Sequence, residues 1–227
     1  MHLCNPIICA IDTSDLDKAL AMAETVSNKV AMVKLGLEFF TAHGLQGVQR
    51  IIDLGLNVFL DLKLHDIPNT VVGALNSIKT LHIDMVTLHI SGGREMIRCA
   101  ANVLVNSGIL PIGVTVLTSM DSTDLQECGV GSSIDSHVRT LVDLAVDSGL
   151  NAVVCSAHEI SSIRKKYPTI KLIVPGVRAD MCVIHDQKRV MTPKDAIAEG
   201  ADYLVIGRAI TCSDDPAGVI EDILSTL

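Results

Sequence analysis

The chain has 227 residues, 48% of them apolar and 19% charged, which suits one large buried core and excludes a disordered chain. A formal net charge of −8, with 2% aromatics and no Trp, excludes both a basic phosphate-backbone binder and a base-stacking platform, so no nucleic-acid partner is expected. No run of about 18 apolar residues is present to span a bilayer, so no membrane partner is expected either.

The opening Met1-His2-Leu3-Cys4-Asn5-Pro6 has neither the charged n-region nor the long h-region of a signal peptide. Seven cysteines lie scattered without a CxxC pair, which fits a reducing, cytoplasmic location. The eight histidines show no metal-ligand spacing, and no metal is expected.

Short β-branched runs alternate with amphipathic stretches from end to end. Strand Ile7–Ile11 runs into Asp12 and is followed by a helix over Ser14–Val26 with Ser14 as cap. Strand Met32–Leu35 carries Lys34 and precedes a helix over Thr41–Leu54.

The third strand, Val58–Leu62, opens the most informative segment, Asp61-Leu62-Lys63-Leu64-His65-Asp66-Ile67-Pro68-Asn69-Thr70. Side chains alternate faces along a strand, so Phe59, Asp61 and Lys63 share one face and Leu60 and Leu62 the other. An ordinary half-buried strand has no use for Asp and Lys on the same face, whereas a strand end lining a polar pocket does. A surface ion pair is the plainer reading of one such triad, and such pairs stabilise little. Charges at matching places on neighbouring strands weigh against it.

A helix over Asn69–Leu81, capped by Asn69, is followed by strand Met85–His89 and a helix over Gly92–Ser107. His89 reads as readily as a packing residue as a catalytic one. Strand Pro111–Val116 is next, and the following helix is placed over Ser136–Ser148. Strand Ala152–Cys155, helix Ala157–Lys166 and strand Lys171–Val174 follow. Thr192-Pro193 then starts a helix over Thr192–Glu199 as cap and first residue, before strand Tyr203–Ile206 and a last helix over Pro216–Leu227. Gly55, Gly108, Gly149 and Gly200 stand where left-handed helix ends are wanted.

Eight strand–helix units without a linker or composition break predict a single (β/α)8 TIM barrel domain over residues 1–227. A doubly wound sheet would place a glycine fingerprint after the first strand, where Asp12-Thr13-Ser14 stands instead. In a barrel, site residues gather at the C-terminal strand ends. Asp12, Lys34, Asp61, Lys63 and His89 all fall there.

Pro175-Gly176-Val177-Arg178 follows the seventh strand and Gly207-Arg208 the eighth. Loops at these two places commonly bind phosphate through backbone N–H groups, and Arg adds a planar fork. The aperiodic stretch from Pro175 to Met191, which includes Gln187, reads as a candidate lid over a bound ligand.

The chain resembles the orotidine 5′-monophosphate decarboxylases, in their bacterial form, from Ile7 to its end. DLKLHDIPNT is the family's signature. Ile11-Asp12, Val33-Lys34-Leu35-Gly36, Leu88-His89-Ile90-Ser91-Gly92-Gly93, Val116-Leu117-Thr118-Ser119-Met120, Val154-Cys155-Ser156-Ala157, Pro175-Gly176-Val177-Arg178 and Val205-Ile206-Gly207-Arg208 support it.

The resemblance implies cofactor-free conversion of orotidine 5′-monophosphate to uridine 5′-monophosphate and carbon dioxide, in de novo pyrimidine biosynthesis. It implies that Lys63 is the proton donor to C6, that Asp61 lies near the substrate carboxylate, and that Lys34 keeps the charges in register. Asp12 would bind the ribose, and Thr118 or Ser119 the pyrimidine. Gly207, Arg208, Gln187 and Arg178 would gather the phosphate. It further implies a homodimer in which Asp66 and Thr70 reach into the neighbouring subunit's site.

Two other readings compete. Metal-dependent sugar-phosphate decarboxylases and synthases of the same barrel superfamily share the D-x-K-x-x-D strand, but not the His65-Asp66-Ile67-Pro68-Asn69-Thr70 that follows here. A non-catalytic nucleotide-binding barrel would be expected to lose Lys63 or one of its acids while keeping Arg208.

Overall fold

Every residue of the first strand, β1 (Ile7–Ile11), is buried, because one side chain in two turns into a barrel and the next turns out under a helix. The computed structural model describes residues 5–177 and 191–227. Arg178 and Gln187 lie outside the described residues.

The further strands are β2 (Met32–Leu35), β3 (Val58–Leu64), β4 (Met85–His89), β5 (Leu110–Val114), β6 (Ala152–Val154), β7 (Lys171–Pro175) and β8 (Tyr203–Ile206). All neighbours pair in parallel, and β8 pairs back onto β1 through Leu204 opposite Ile7, closing the barrel. The expected TIM barrel is present.

Around it run α1 (Leu16–Val26), α2 (Leu37–Ile52), α3 (Pro68–Ile78), α4 (Gly93–Leu104), α5 (Ser122–Glu127), α6 (Ile134–Asp147), α7 (Ile160–Lys166), α8 (Pro193–Glu199), α9 (Arg208–Thr211) and α10 (Pro216–Thr226). None of the described helices is long and apolar enough to cross a membrane.

Two cores result from the alternation. The larger lies between strands and helices and takes Ile7, Cys9, Ile11, Leu35, Leu60 and Leu88 with the inner helix faces. The smaller fills the barrel axis with at least one side chain from each strand: Ile8, Ala10, Met32, Phe59, Met85, Ile112, Ala152, Ile173 and Val205. This apolar plug closes the lower barrel. Two residues further along the inward-facing rows stand Asp12, Lys34, Asp61 and Thr87, so the fold turns a change of residue type into a polar floor at the upper end.

Local departures from the expected elements have physical causes. Asp15, not Ser14, caps α1, its carboxylate accepting the Lys18 N–H at 3.1 Å. Helix α2 begins at Leu37 rather than Thr41, and Gly44, at φ +57°, kinks it within the expected range. Asn69 does not cap α3, because Pro68 already occupies the first helical position. Ser133, three residues before the expected start, caps α6. Thr192 does cap α8, accepting from the Asp195 N–H at 3.1 Å, and Gly55, Gly108, Gly149 and Gly200 all take positive φ as expected.

Helices α5 and α9 were not anticipated from periodicity, being six and four residues long. The start of α5 was nonetheless written in the sequence. Asp121 accepts the Asp124 N–H while Asp124 accepts the Asp121 N–H, a reciprocal cap that needs acids three apart.

Candidate active site

Four charged side chains meet at the upper end of the barrel. Asp12 follows β1, Lys34 projects from β2, and Asp61 and Lys63 project from β3. Lys63 Nζ donates to Asp61 Oδ1 at 3.0 Å and Oδ2 at 2.9 Å. Lys34 Nζ lies 3.5 Å from Asp61 Oδ2 and 3.2 Å from Asp12 Oδ1. Two cations face two anions, so the array is neutral as a whole, which limits the cost of burying it.

Burial is graded across these groups. The Lys34 side chain is 10% exposed, Asp61 13%, Lys63 31% and Asp12 54%. Burial pushes the Asp61 carboxyl up, but Lys34 and Lys63, with hydrogen bonds from Lys63 and Thr87, outweigh it and hold the group below the ordinary carboxylate range. Asp61 is therefore charged at neutral pH.

Lys34, Asp61 and Lys63 form one side of a cavity of about 140 Å³ whose other walls are mostly apolar, among them Val114, Val116, Val154, Ile173 and Val205. Apolar walls lower the local dielectric, and charge interactions strengthen there. Thr118, after β5, also lines the cavity, whereas Ser119 is exposed and does not. Cys155 lines it too. Burial, then Glu159, holds its thiol well above the ordinary value, so it is no thiolate nucleophile at neutral pH.

Gly36 explains how the Asp12–Lys34 pair closes. A Cβ there would stand 3.0 Å from Asp12 Oδ1 and 3.3 Å from Lys34 Nζ, tighter than an ordinary contact.

Other expected residues lie apart from this cluster. Asp66 and Thr70 are exposed and do not line the cavity, and Asp66 Oδ1 accepts the Ile67 N–H. Gly207 immediately precedes α9, and Arg208, exposed, is its first residue. His89 is half-buried with its ring 5.4 Å from that of His65. Burial first, then His65 and Lys63, lowers the His89 imidazole from its ordinary value, so it is neutral near pH 7.

Sequence reasoning missed Thr87. It is fully buried on β4, accepts the Lys63 N–H at 2.8 Å and donates to Asp61 Oδ1 at 2.9 Å. The available signal was its place two residues before His89 and two after the axis-filling Met85, on the inward row. Among the described residues, no three His, Cys, Asp or Glu side chains group to hold a metal ion.

Comparison with known proteins gives the family. The model of the Orotidine 5′-phosphate decarboxylase / HUMPS family matches residues 5–223. The chain belongs to that family. An orotidine 5′-phosphate decarboxylase of Ehrlichia canis (strain Jake) is 53% identical over 225 residues, covering 99% of this chain and 98% of the relative. One of Wolbachia pipientis subsp. Culex pipiens (strain wPip) is 50% identical over 224 residues, covering 98% and 99%. Among solved structures, the orotidine 5′-phosphate decarboxylase of Lactobacillus acidophilus superposes with a TM-score of 0.87 at 29% identity, covering 98% of this chain and 99% of that one.

Proposed function

We propose that this chain removes the C6 carboxylate of orotidine 5′-monophosphate without a cofactor, giving uridine 5′-monophosphate and carbon dioxide in de novo pyrimidine biosynthesis, with Lys63 as proton donor. The observation that carries the reading is an ammonium gripped by both oxygens of a largely buried carboxylate, at one side of a mostly apolar cavity.

The bond from C6 to the carboxylate breaks, its electron pair stays on C6, and carbon dioxide leaves. The pyrimidine ring gives that pair no electron sink, so stabilisation has to come from fixed charge. Lys63 is such a charge: Asp61 holds it in place before the reaction begins, so little reorganisation is needed as the carbanion develops. One Lys63 proton then passes to C6, and the amine left behind regains a proton from solvent.

Other residues position the substrate. Asp12 binds the ribose hydroxyls, Thr118 contacts the pyrimidine edge, and Ser119 is the weaker candidate because it is exposed and does not line the cavity. Gly207 and Arg208, with Arg178 and Gln187, gather the phosphate. Binding energy from that remote group holds the reacting carbon against Lys63.

The working unit is a cytoplasmic homodimer in which Asp66 and Thr70 act in the neighbouring subunit's site. Their exposure beside Ile67, itself 66% exposed, supports an intersubunit role. The test is ultraviolet absorbance of orotidine 5′-monophosphate incubated with the protein in excess EDTA. Loss of the orotate absorbance supports the reading. An unchanged spectrum sinks it and directs attention to magnesium with pentulose or hexulose phosphates.

A further inference from the structure

We propose that Thr87 is a positioning residue for the reaction, one hydroxyl fixing both the backbone of Lys63 and the carboxylate of Asp61. The proposal rests on the roles given above to those two residues.

The β3–β4 ladder supplies the reason a hydroxyl is needed. Leu60 pairs with Val86, and the next pair is Leu64 with Leu88, so four steps along β3 match two along β4. Asp61, Leu62 and Lys63 are thereby lifted out of the regular ladder. Lys63 takes φ +51°, a left-handed conformation that a long side chain keeps only where its surroundings enforce it. A backbone N–H turned out of a ladder and away from water must find another acceptor. Thr87 Oγ1 is that acceptor, at 2.8 Å.

A hydroxyl has a single proton, and with an N–H arriving at its oxygen that proton is free to point elsewhere. It points to Asp61 Oδ1 at 2.9 Å. Asp61 in turn grips Lys63 Nζ. The contacts form a closed circuit: Thr87 to Asp61, Asp61 to the Lys63 ammonium, and the Lys63 backbone back to Thr87. The ammonium is thus held at both ends of its residue. Thr87 does not line the cavity, so it acts through its two partners and not on the substrate. No apolar residue of the same shape can replace it, because the oxygen both accepts and donates.

The experiment compares Thr87→Ser, Thr87→Ala and Thr87→Val by steady-state kinetics on orotidine 5′-monophosphate, with thermal melts of each. Ser and Ala both lose the methyl group and differ by the hydroxyl, so their contrast isolates it. The expected result is kcat reduced about 100-fold in Ala and Val, the scale of a misplacement of about 1 Å at a reacting group. KM should stay within a few-fold, and Ser should restore kcat to near wild type. Wild-type kcat in Ala or Val, or an equal loss in Ser, would overturn the proposal. So would loss of the fold in both Ala and Val, which would make Thr87 a purely structural group. Failure of the underlying reading looks different: the unmutated protein would leave orotidine 5′-monophosphate unchanged.

Discussion

Lys63 Nζ stands 3.0 and 2.9 Å from the two carboxylate oxygens of Asp61, so one acid holds the ammonium with both of its oxygens. The lysine side chain does not need to search for its working position. A lysine on a flexible stem ordinarily loses much rotamer freedom when it is fixed. Here that loss occurs on folding, before substrate arrives.

The first prediction follows directly. Lys63→Ala removes both the proposed proton donor and the fixed cation, and turnover should fall by at least about 10⁴-fold, combining general-acid and electrostatic contributions. Binding of uridine 5′-monophosphate, measured by calorimetry, should remain detectable. Turnover surviving in this variant would remove Lys63 from the mechanism.

Acid should act on the site through Asp61. Its carboxyl lies below the ordinary value in the folded protein, whereas an unfolded chain restores about 3.9. The folded state therefore holds the proton less tightly. The stabilisation is fully present above about pH 4 and is lost as pH falls through the folded value. Asp61→Asn has no such group, so its urea midpoint should decline less than that of wild type between pH 5 and pH 2.5. Parallel declines would show that Asp61 is not held low.

A dimer with shared sites gives a sharper outcome than any size measurement. Lys63→Ala and Asp66→Ala should each be inactive alone. Mixed and re-formed together, they give dimers in which one site has both residues intact and the other has neither. Activity should return toward half per mixed dimer. Two inactive parents that stay inactive after verified exchange would mean that each site is built from one chain.

The opposite end of the barrel carries a structural clamp that should separate stability from activity. Arg164 donates to Pro168 O at 2.8 Å, to Ile170 O at 2.7 Å, twice to Gly200 O at 3.2 and 2.6 Å, and to Asp202 Oδ2 at 2.7 Å. It ties the end of α7 to the turns entering β7 and β8. Arg164→Lys keeps the charge but loses the planar fork. It should cost about 2–4 kcal/mol in urea unfolding, the scale of several hydrogen bonds to a charged group. kcat at 25 °C should be unchanged in the folded fraction. A stability equal to wild type would contradict the clamp.

The barrel was legible because eight β-branched runs alternate with amphipathic stretches, a pattern that period and length alone reveal. The charged cluster was legible because Asp61 and Lys63 violate the pattern of a half-buried strand. What escaped lies where conformation departs from period. Gly44 breaks α2 inside an otherwise helical stretch. Residues 122–127 and 208–211 form helices too short to show a repeat. Thr87 escaped because a threonine in a strand is ordinary by propensity. Its role needs the displaced Lys63 N–H, and that displacement comes from a register slip between two strands that sequence spacing does not announce.

The pairing of Ile7 with Leu204 bears on how the molecule is made. Strand β1 is synthesised before the other seven strands, and its second partner, β8, after them all. Until residues 203–206 are available, β1 and β7 each present an open row of backbone donors and acceptors, a template for pairing with other chains. Closure removes both edges in one step, so it waits for the eighth strand. A chain that stops before Tyr203 would leave two sticky edges and expose the axis-filling Ile8, Ala10 and Ile173 at the seam. The hazard ends when the eighth strand docks.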